Sequence, residues 1–367
     1  MKERSSVGQQ DNRIKTYVIL RCLLILLVVI GHANYYTVYT DYGGFDWTGV
    51  MKACAIEDTI AHRTTCLFTG IIYSFHMPMY IALSGALLEY GTKRDLLTTM
   101  KNKAKRLLIP FLVVTTVISL PIKYLTGYWA FSSNILRDII VGQYLMQGDT
   151  HLWFLPTLFL ETIVFTLIRK KEEEIGRPLS IVLFILGVIG VMTYTYIPVG
   201  ILSCFAHYFL WFYTGMLFER KRVALEPLID IKAYGLFLAL WLALYELNDF
   251  IPGTNEPLKI LKSFISVPVA IFGMICTYAF CNILSKRSVI NWRSVNVIEK
   301  YSFGIYLYSD LLNYVILNAF VHFFSVKAFG SEGLSFLLFI TRVVVTLGVS
   351  LAFSIFLRRV LKLKTLS

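Results

Sequence analysis

Charge is scarce in this sequence. Only 16% of its 367 residues are Asp, Glu, Lys or Arg, whereas soluble chains carry about 25%. With 56% of positions hydrophobic, that shortage excludes an ordinary soluble domain. No polar stretch is long enough to form a separate soluble unit, so the chain reads as one membrane domain. The six cysteines include no CxxC pair, and the six histidines show neither H-x3-H nor H-E-x-x-H spacing. The common zinc and dithiol motifs are therefore missing, and no metal is expected. Internal repeats are not visible; inverted repeats would have favoured a transporter. A cleavable signal peptide is also not expected. Gly31-His32-Ala33 resembles a small-x-small cleavage site, but Arg21 interrupts the apolar region before it.

What the chain has instead is a series of apolar runs near the ~20 residues that cross a bilayer. They fall near 16–37, 67–89, 107–126, 151–168, 178–197, 201–218, 233–250, 259–284, 301–323 and 334–357. Each reads as a helix, because an isolated strand cannot satisfy its backbone groups in lipid. The expected fold is all-α: a polytopic membrane helical bundle of about ten transmembrane helices with both termini cytoplasmic. The expected division is a tail at 1–15, a transmembrane domain at 16–358 and a tail at 359–367.

The net charge is +12. In a soluble chain that would suggest nucleic acid. Here the basic residues lie in short clusters beside the apolar runs rather than in one patch, so nucleic-acid binding is not expected. Alternating sides from a cytoplasmic N-terminus puts 27 of the 35 Lys and Arg residues on one side. The clusters include Lys2, Arg4 and Arg13; Lys93, Arg94, Lys101, Lys103, Lys105 and Arg106; Arg220, Lys221, Arg222 and Lys232; and Arg358 and Arg359. A wrong span count would scramble that bias.

The opposite segments are polar and aromatic. Residues 38–65 hold Asp41, Asp46, Glu57 and Asp58, and 127–150 form a long connection with a short or re-entrant helix expected around 135–146. Long loops of this kind are often functional. Cys54 and Cys66 lie in or beside the first of them, and spacing leaves their pairing open.

Several polar residues fall within or beside spans. Arg21 and His32 are eleven positions apart, which on an α-helix leaves them about 20° apart around the axis and about 16–17 Å along it. That reach suits an anionic cofactor held at Arg21 with its far end at His32. The plain alternatives are an arginine snorkelling to headgroups and a packed histidine. His76 and Pro78 interrupt a span that continues through Ser84, Gly85 and Ala86, small residues that let helices approach closely. Lys103 and Arg106 belong to a basic run before the third span, suited to phosphate groups or simply to lipid headgroups. His151 and Trp153 fit an outer interface. Glu161, Asp310 and Arg342 lie near mid-span, where an ionisable residue is functional by default; Asp310 and Arg342 are expected to pair structurally. His207 is expected as a further polar contact between helices.

These motifs resemble the acyltransferase 3 family of membrane acyltransferases, in the manner of its fucose 4-O-acetylase-like branch, which modifies surface polysaccharides. The family's first-span pattern of Arg or Lys, ten residues, then His is met by Arg21 and His32. Its aromatic-His-Met-Pro followed by Ser-Gly is met by Phe75, His76, Met77, Pro78, Ser84 and Gly85. Lys103 and Arg106 approach its R-x-x-R element, with Lys for the first Arg, and 151–155 read HLWFL. Its Ser-x-x-Ile-Tyr-Leu-x-His pattern meets Ser302, Ile305, Tyr306 and Leu307, but Ser309 stands where His is common. The role of that His is therefore not carried over.

The resemblance implies transfer of an acyl group, usually acetyl, from cytosolic acyl-CoA to a hydroxyl of a cell-surface or lipid-linked glycan. Acetyl-CoA or another acyl-CoA would be the co-substrate. His32 is expected to act as general base, its imidazole being suited to proton transfer near neutrality; a covalent acyl-histidine is the other route. His76, His151 and Glu161 are expected to shape or polarise the site, and Arg21, Lys103 and Arg106 to hold the donor's phosphates. The expected setting is a bacterial cytoplasmic (inner) membrane beside polysaccharide-synthesis machinery. The competing readings are a transporter or flippase using the same intramembrane polar residues, and a non-catalytic partner of a polysaccharide synthase.

Overall fold

The computed structural model describes residues 2–40, 42–91, 95–148, 150–229, 231–287 and 292–367, with side chains left undescribed at 2–14, 39, 45, 231 and 232. Asp41, Lys93 and Arg94 of the charge pattern lie outside the described residues, as do the side chains of Lys2, Arg4, Arg13 and Lys232. Among the described residues the fold is all-α apart from one small hairpin. We number its principal elements α1 Lys2–His32, β1 Val38–Thr40, β2 Gly43–Phe45, α2 Ile60–Tyr73, α3 His76–Tyr90, α4 Leu96–Leu125, α5 Ile135–Ile139, α6 Phe154–Ile175, α7 Arg177–Thr193, α8 Gly200–Leu225, α9 Ile231–Phe250, α10 Glu256–Ser285, α11 Trp292–Phe324 and α12 Glu332–Arg359. Among the described residues, nine helical segments are long and apolar enough to cross a membrane. The 20-residue α9 stands at the expected seventh span outside those nine, with Glu246 and Asp249 near its end.

Sequence chemistry explains where helices start and loosen. Asp95 caps α4 by accepting from the Thr98 N–H at 2.9 Å, a bond that holds its carboxyl below the usual range. The α4 helix widens into π-turns at Ala104–Leu108 and Thr115–Ser119, directly before Pro110 and Pro121. A proline has no N–H and its ring crowds the preceding turn, so the hydrogen-bond ladder must shift there. The expected span at 67–89 is instead two helices parted at Ser74 and Phe75. Pro78 consequently sits in the first turn of α3, where its missing N–H costs little, and does not kink a helix interior. Residues 135–146 form α5 and a π-turn at Ile140–Tyr144, far short of the ~20 residues a spanning helix needs.

The chain divides into two compact units, and the division falls inside α1, α4 and α11. The first comprises residues 1–24, 74–107 and 154–299. Its centre is the contact of α3 with α8. A Cβ on Gly215 would lie 1.9 Å from the Ala82 carbonyl oxygen, and one on Gly85 would lie 2.0 Å from that of Phe212. The two helices thus touch backbone to backbone through reciprocal glycines. Phe165 of α6 stacks on Phe212 and Tyr213 of α8. At one end Glu172 accepts from Tyr213, from Ser180 at 2.7 Å and from Arg220 at 2.8 Å, while Arg220 also reaches Glu89 at 3.2 Å.

The second unit comprises residues 25–73, 108–153 and 300–367. Its loops are packed rather than loose. The antiparallel β1–β2 hairpin pairs Val38 with Phe45. Gly43 adopts φ +138°, and a Cβ there would meet the Ala130 nitrogen at 2.7 Å; only glycine fits that turn. Gly44 donates to the Gly127 carbonyl, and Phe131 donates to that of Tyr42. Tyr36, Tyr128, Trp129, Tyr314, Phe320 and Phe329 share one buried cluster beneath. The Glu332 carboxylate caps α2 through the N–H groups of Ile60 and Ala61, at 2.7 and 2.9 Å. Cys54 and Cys66 are both free thiols, so the pairing left open by spacing does not form.

Candidate active site

The last turn of α1 enters the second unit between close neighbours. Gly31 has no side chain, and a Cβ there would lie 2.8 Å from the Tyr73 ring. The next residue, His32, places Nδ1 3.2 Å from Asp310 Oδ1 of α11. The contact is an ion-pair approach, and a carboxylate beside Nδ1 favours the tautomer with its proton on that nitrogen, which leaves Nε2 as the basic one. Both side chains retain about a fifth to a quarter of their exposure (24% and 21%).

His151 approaches the same carboxylate from the other side, its Nδ1 3.7 Å from Asp310 Oδ2. It is held by its neighbours. Its Nε2–H donates to the Leu307 carbonyl at 3.2 Å, and the Tyr306 hydroxyl donates to the His151 carbonyl at 2.6 Å. The HLWFL segment and the Ile-Tyr-Leu segment are thus two halves of one contact. Lys123 is 5% exposed, and its charge is close enough to act on Asp310 and His151.

Arg342 of α12 fixes the end of α1. It is fully buried and donates to the Tyr35 carbonyl, to that of His32 at 3.2 Å and to Asn313 Oδ1 at 3.3 Å. Its guanidinium also lies 4.4 Å over the Tyr35 ring. The last carbonyls of a helix have no partners within the helix, and a buried cation supplies them here. The expected Asp310–Arg342 ion pair does not form: Asp310 turns to the two histidines, and Arg342 turns to backbone carbonyls and Asn313. Ser309, where the family often has His, is fully buried.

The first unit gathers the cations expected to meet phosphate. Arg21 of α1 is bonded to Glu299. Arg106 is near enough to feel the charges of Arg21 and Glu299, and Lys103 is near enough to feel that of Arg106. Lys103 is half-buried and Arg106 exposed. Neither makes an ion pair among the described residues.

The remaining expected residues are placed differently. His76 begins α3 and is 3% exposed; it and Glu161 belong to the first unit. Glu161 is completely buried on α6, and neither of its oxygens has a hydrogen-bond partner among the described residues. His207 packs against the Tyr194 ring at 4.1 Å. Among the described residues, no group of three or more His, Cys, Asp and Glu side chains is arranged to hold a metal ion.

Sequence reasoning did not assign Asp310 to the site. The available signal was an acid at mid-span on the helix carrying the Ile-Tyr-Leu motif. Lys123 gave no signal, since it lies at the end of a span where a lysine ordinarily snorkels.

Comparison with known proteins bears on this arrangement. The family described as Acyltransferase domain matches residues 17–359. A curated relative, Nodulation protein NolL of Sinorhizobium fredii (strain NBRC 101917 / NGR234), is 26% identical over 192 residues. That match covers 51% of this chain and 47% of the relative, so it spans about half of each. No solved structure matches. The family match takes in both units, the helices long and apolar enough to cross a membrane and every polar residue described above: the chain belongs to the acyltransferase domain family.

Proposed function

We propose that this acyltransferase moves an acyl group, acetyl by preference, from cytosolic acyl-CoA to a hydroxyl of a cell-surface or lipid-linked glycan, with His32 as general base. The observation that carries the reading is the His32–Asp310 contact at 3.2 Å. The Asp310 charge favours the tautomer with the proton on Nδ1, which leaves Nε2 free to act as the base. Nε2 takes the proton of the acceptor hydroxyl as its oxygen attacks the thioester carbonyl. The tetrahedral intermediate collapses, the C–S bond breaks, and the same proton passes from Nε2 to the departing thiolate. The products are the O-acyl glycan and free CoA. His151 and Lys123 set the charge around Asp310.

Arg21, Lys103 and Arg106 are assigned to the phosphates of acyl-CoA. Arg21 is bonded to Glu299, Arg106 feels both of them and Lys103 feels Arg106, a run of cations that leaves positive charge for an anionic donor. The basic clusters support a cytosolic position for this group. The bacterial source of the relative supports a bacterial cytoplasmic membrane, where the machinery of polysaccharide synthesis is the natural neighbour.

The test is transfer of radiolabelled acetyl from acetyl-CoA to endogenous glycan in membranes. His32→Ala should abolish transfer while leaving acetyl-CoA binding within about twofold. Normal transfer by a well-expressed His32→Ala variant would end the base assignment. Altered glycan export with unchanged acetylation would favour transport.

A further inference from the structure

The general base requires an acceptor beside it, and the second unit contains a group of side chains that the proposed chemistry uses only through the charge of Lys123. Lys123 lies in the last turn of α4, buried to 5% exposure. Its Nζ donates to Gln143 Oε1 at 3.1 Å and lies 4.3 Å over the Tyr128 ring. Tyr128 meets Trp129 edge-on at 5.1 Å. The charge of Lys123 reaches Asp310 and His151, so this group adjoins the histidine cluster.

Two donors there are orphaned. Gln143 is fully buried, yet its Nε2 has no hydrogen-bond partner among the described residues. Trp129 is 4% exposed, and its indole Nε1–H also lacks one. Buried donors are normally satisfied, and each exception calls for an explanation. The backbone is shaped to hold Gln143 in place. It sits in the π-turn Ile140–Tyr144, a local form frequent at functional sites. Beside it a Cβ on Gly142 or on Gly148 would meet the Tyr42 hydroxyl at 2.9 Å. Nothing larger than glycine fits that fold of the loop without displacing the tyrosine.

We infer that Lys123, Gln143 and the Tyr128–Trp129 pair form the subsite for the acceptor, and that the acceptor is the ring of a neutral sugar presenting its reacting hydroxyl toward His32. This rests on the glycan-acylation reading above. A sugar supplies hydroxyl oxygens for the Gln143 amide and the Trp129 indole, and apolar C–H faces for the aromatic rings. A lipid chain would leave both donors unsatisfied. The Asp310 carboxylate lies within charge range of the Lys123 ammonium, so the subsite does not require an anionic ring.

The test uses the full chain in membranes, radiolabelled acetyl-CoA as donor, and surface glycan extracted from cells lacking this chain as acceptor. Gln143→Met keeps side-chain length and removes the amide; Trp129→Phe keeps the ring and removes the N–H. Each should raise the KM for glycan about tenfold while leaving the KM for acetyl-CoA within twofold. An unchanged glycan KM in both variants overturns the subsite. So does a parallel rise in both KM values, which marks a structural role. His32→Ala, read in the same assay, tests the base separately. Retained turnover there removes the base and leaves the two KM values of the other variants to decide the subsite.

Discussion

Replacing Asp310 with Asn keeps the size of the side chain and removes its charge, which makes it the sharpest probe of the histidine cluster. In the native protein His32 Nδ1–H faces Asp310 Oδ1 at 3.2 Å, and His151 Nδ1 lies 3.7 Å from Oδ2. Asparagine weakens this arrangement in two ways. A neutral acceptor gives roughly half the strength of a charge-assisted bond, and it no longer stabilises the imidazolium formed when Nε2 takes the substrate proton. Asparagine can also turn its NH2 toward Nδ1, which then accepts, moves the ring proton to Nε2 and abolishes the basic nitrogen. General-base catalysis is worth about 10²–10⁴-fold in rate, so Asp310→Asn should lower kcat by about 10²–10³-fold. The KM for acetyl-CoA should stay within twofold, because the cations assigned to the donor are elsewhere. Transfer of labelled acetyl in membranes, normalised to protein level, measures both quantities. Asp310→Glu, which restores the charge at a changed reach, should recover part of the loss. A kcat within threefold of the parent for Asp310→Asn would refute the assignment of Asp310 as the residue that positions His32.

Two further outcomes follow from the packing. Arg342→Gln removes the cation that joins the carbonyls of His32 and Tyr35 to Asn313; hydrogen bonds to charged groups are worth about 1.5–3 kcal/mol, so the purified protein should show a lower Tm together with reduced kcat, and an unchanged Tm would contradict the bracing role. Gly215→Leu forces a side chain into the Ala82 backbone, only 1.9 Å from where a Cβ would stand; overpacking of this kind costs about 1–3 kcal/mol or more, and a variant with parental Tm in detergent would contradict the close α3–α8 contact.

Much of the scaffold could be read from residue order because its determinants are local. The apolar runs required helices, and the small residues around Gly85 signalled a close helix contact that Gly215 completes from the other side. Helical period put Arg21 and His32 on one face of a single helix. The charge alternation kept the short element at 135–146 out of the spans, since a crossing there would reverse the sides that follow. Lateral neighbours were not legible. Depth in the membrane suggested that Asp310 would meet Arg342, but depth says nothing about which faces of two helices meet. Arg342 was drawn instead to the unpaired carbonyls at the end of α1. Lys123, Gln143 and Trp129 went unmarked because each is ordinary alone; they acquire meaning only when α4 and the loop bearing the π-turn fold together. Pro78 gave a true break signal three or four residues late, since proline favours the first turn of the helix that follows a break.

The most direct test of His32-dependent transfer is the O-acetyl content of surface glycan, by NMR before and after mild alkaline release, from cells carrying the intact chain, the His32→Ala chain at equal abundance, or neither. O-acetyl groups are expected on the glycan only in cells with the intact chain, at one type of sugar hydroxyl. Equal acetylation with His32→Ala would contradict that dependence on His32.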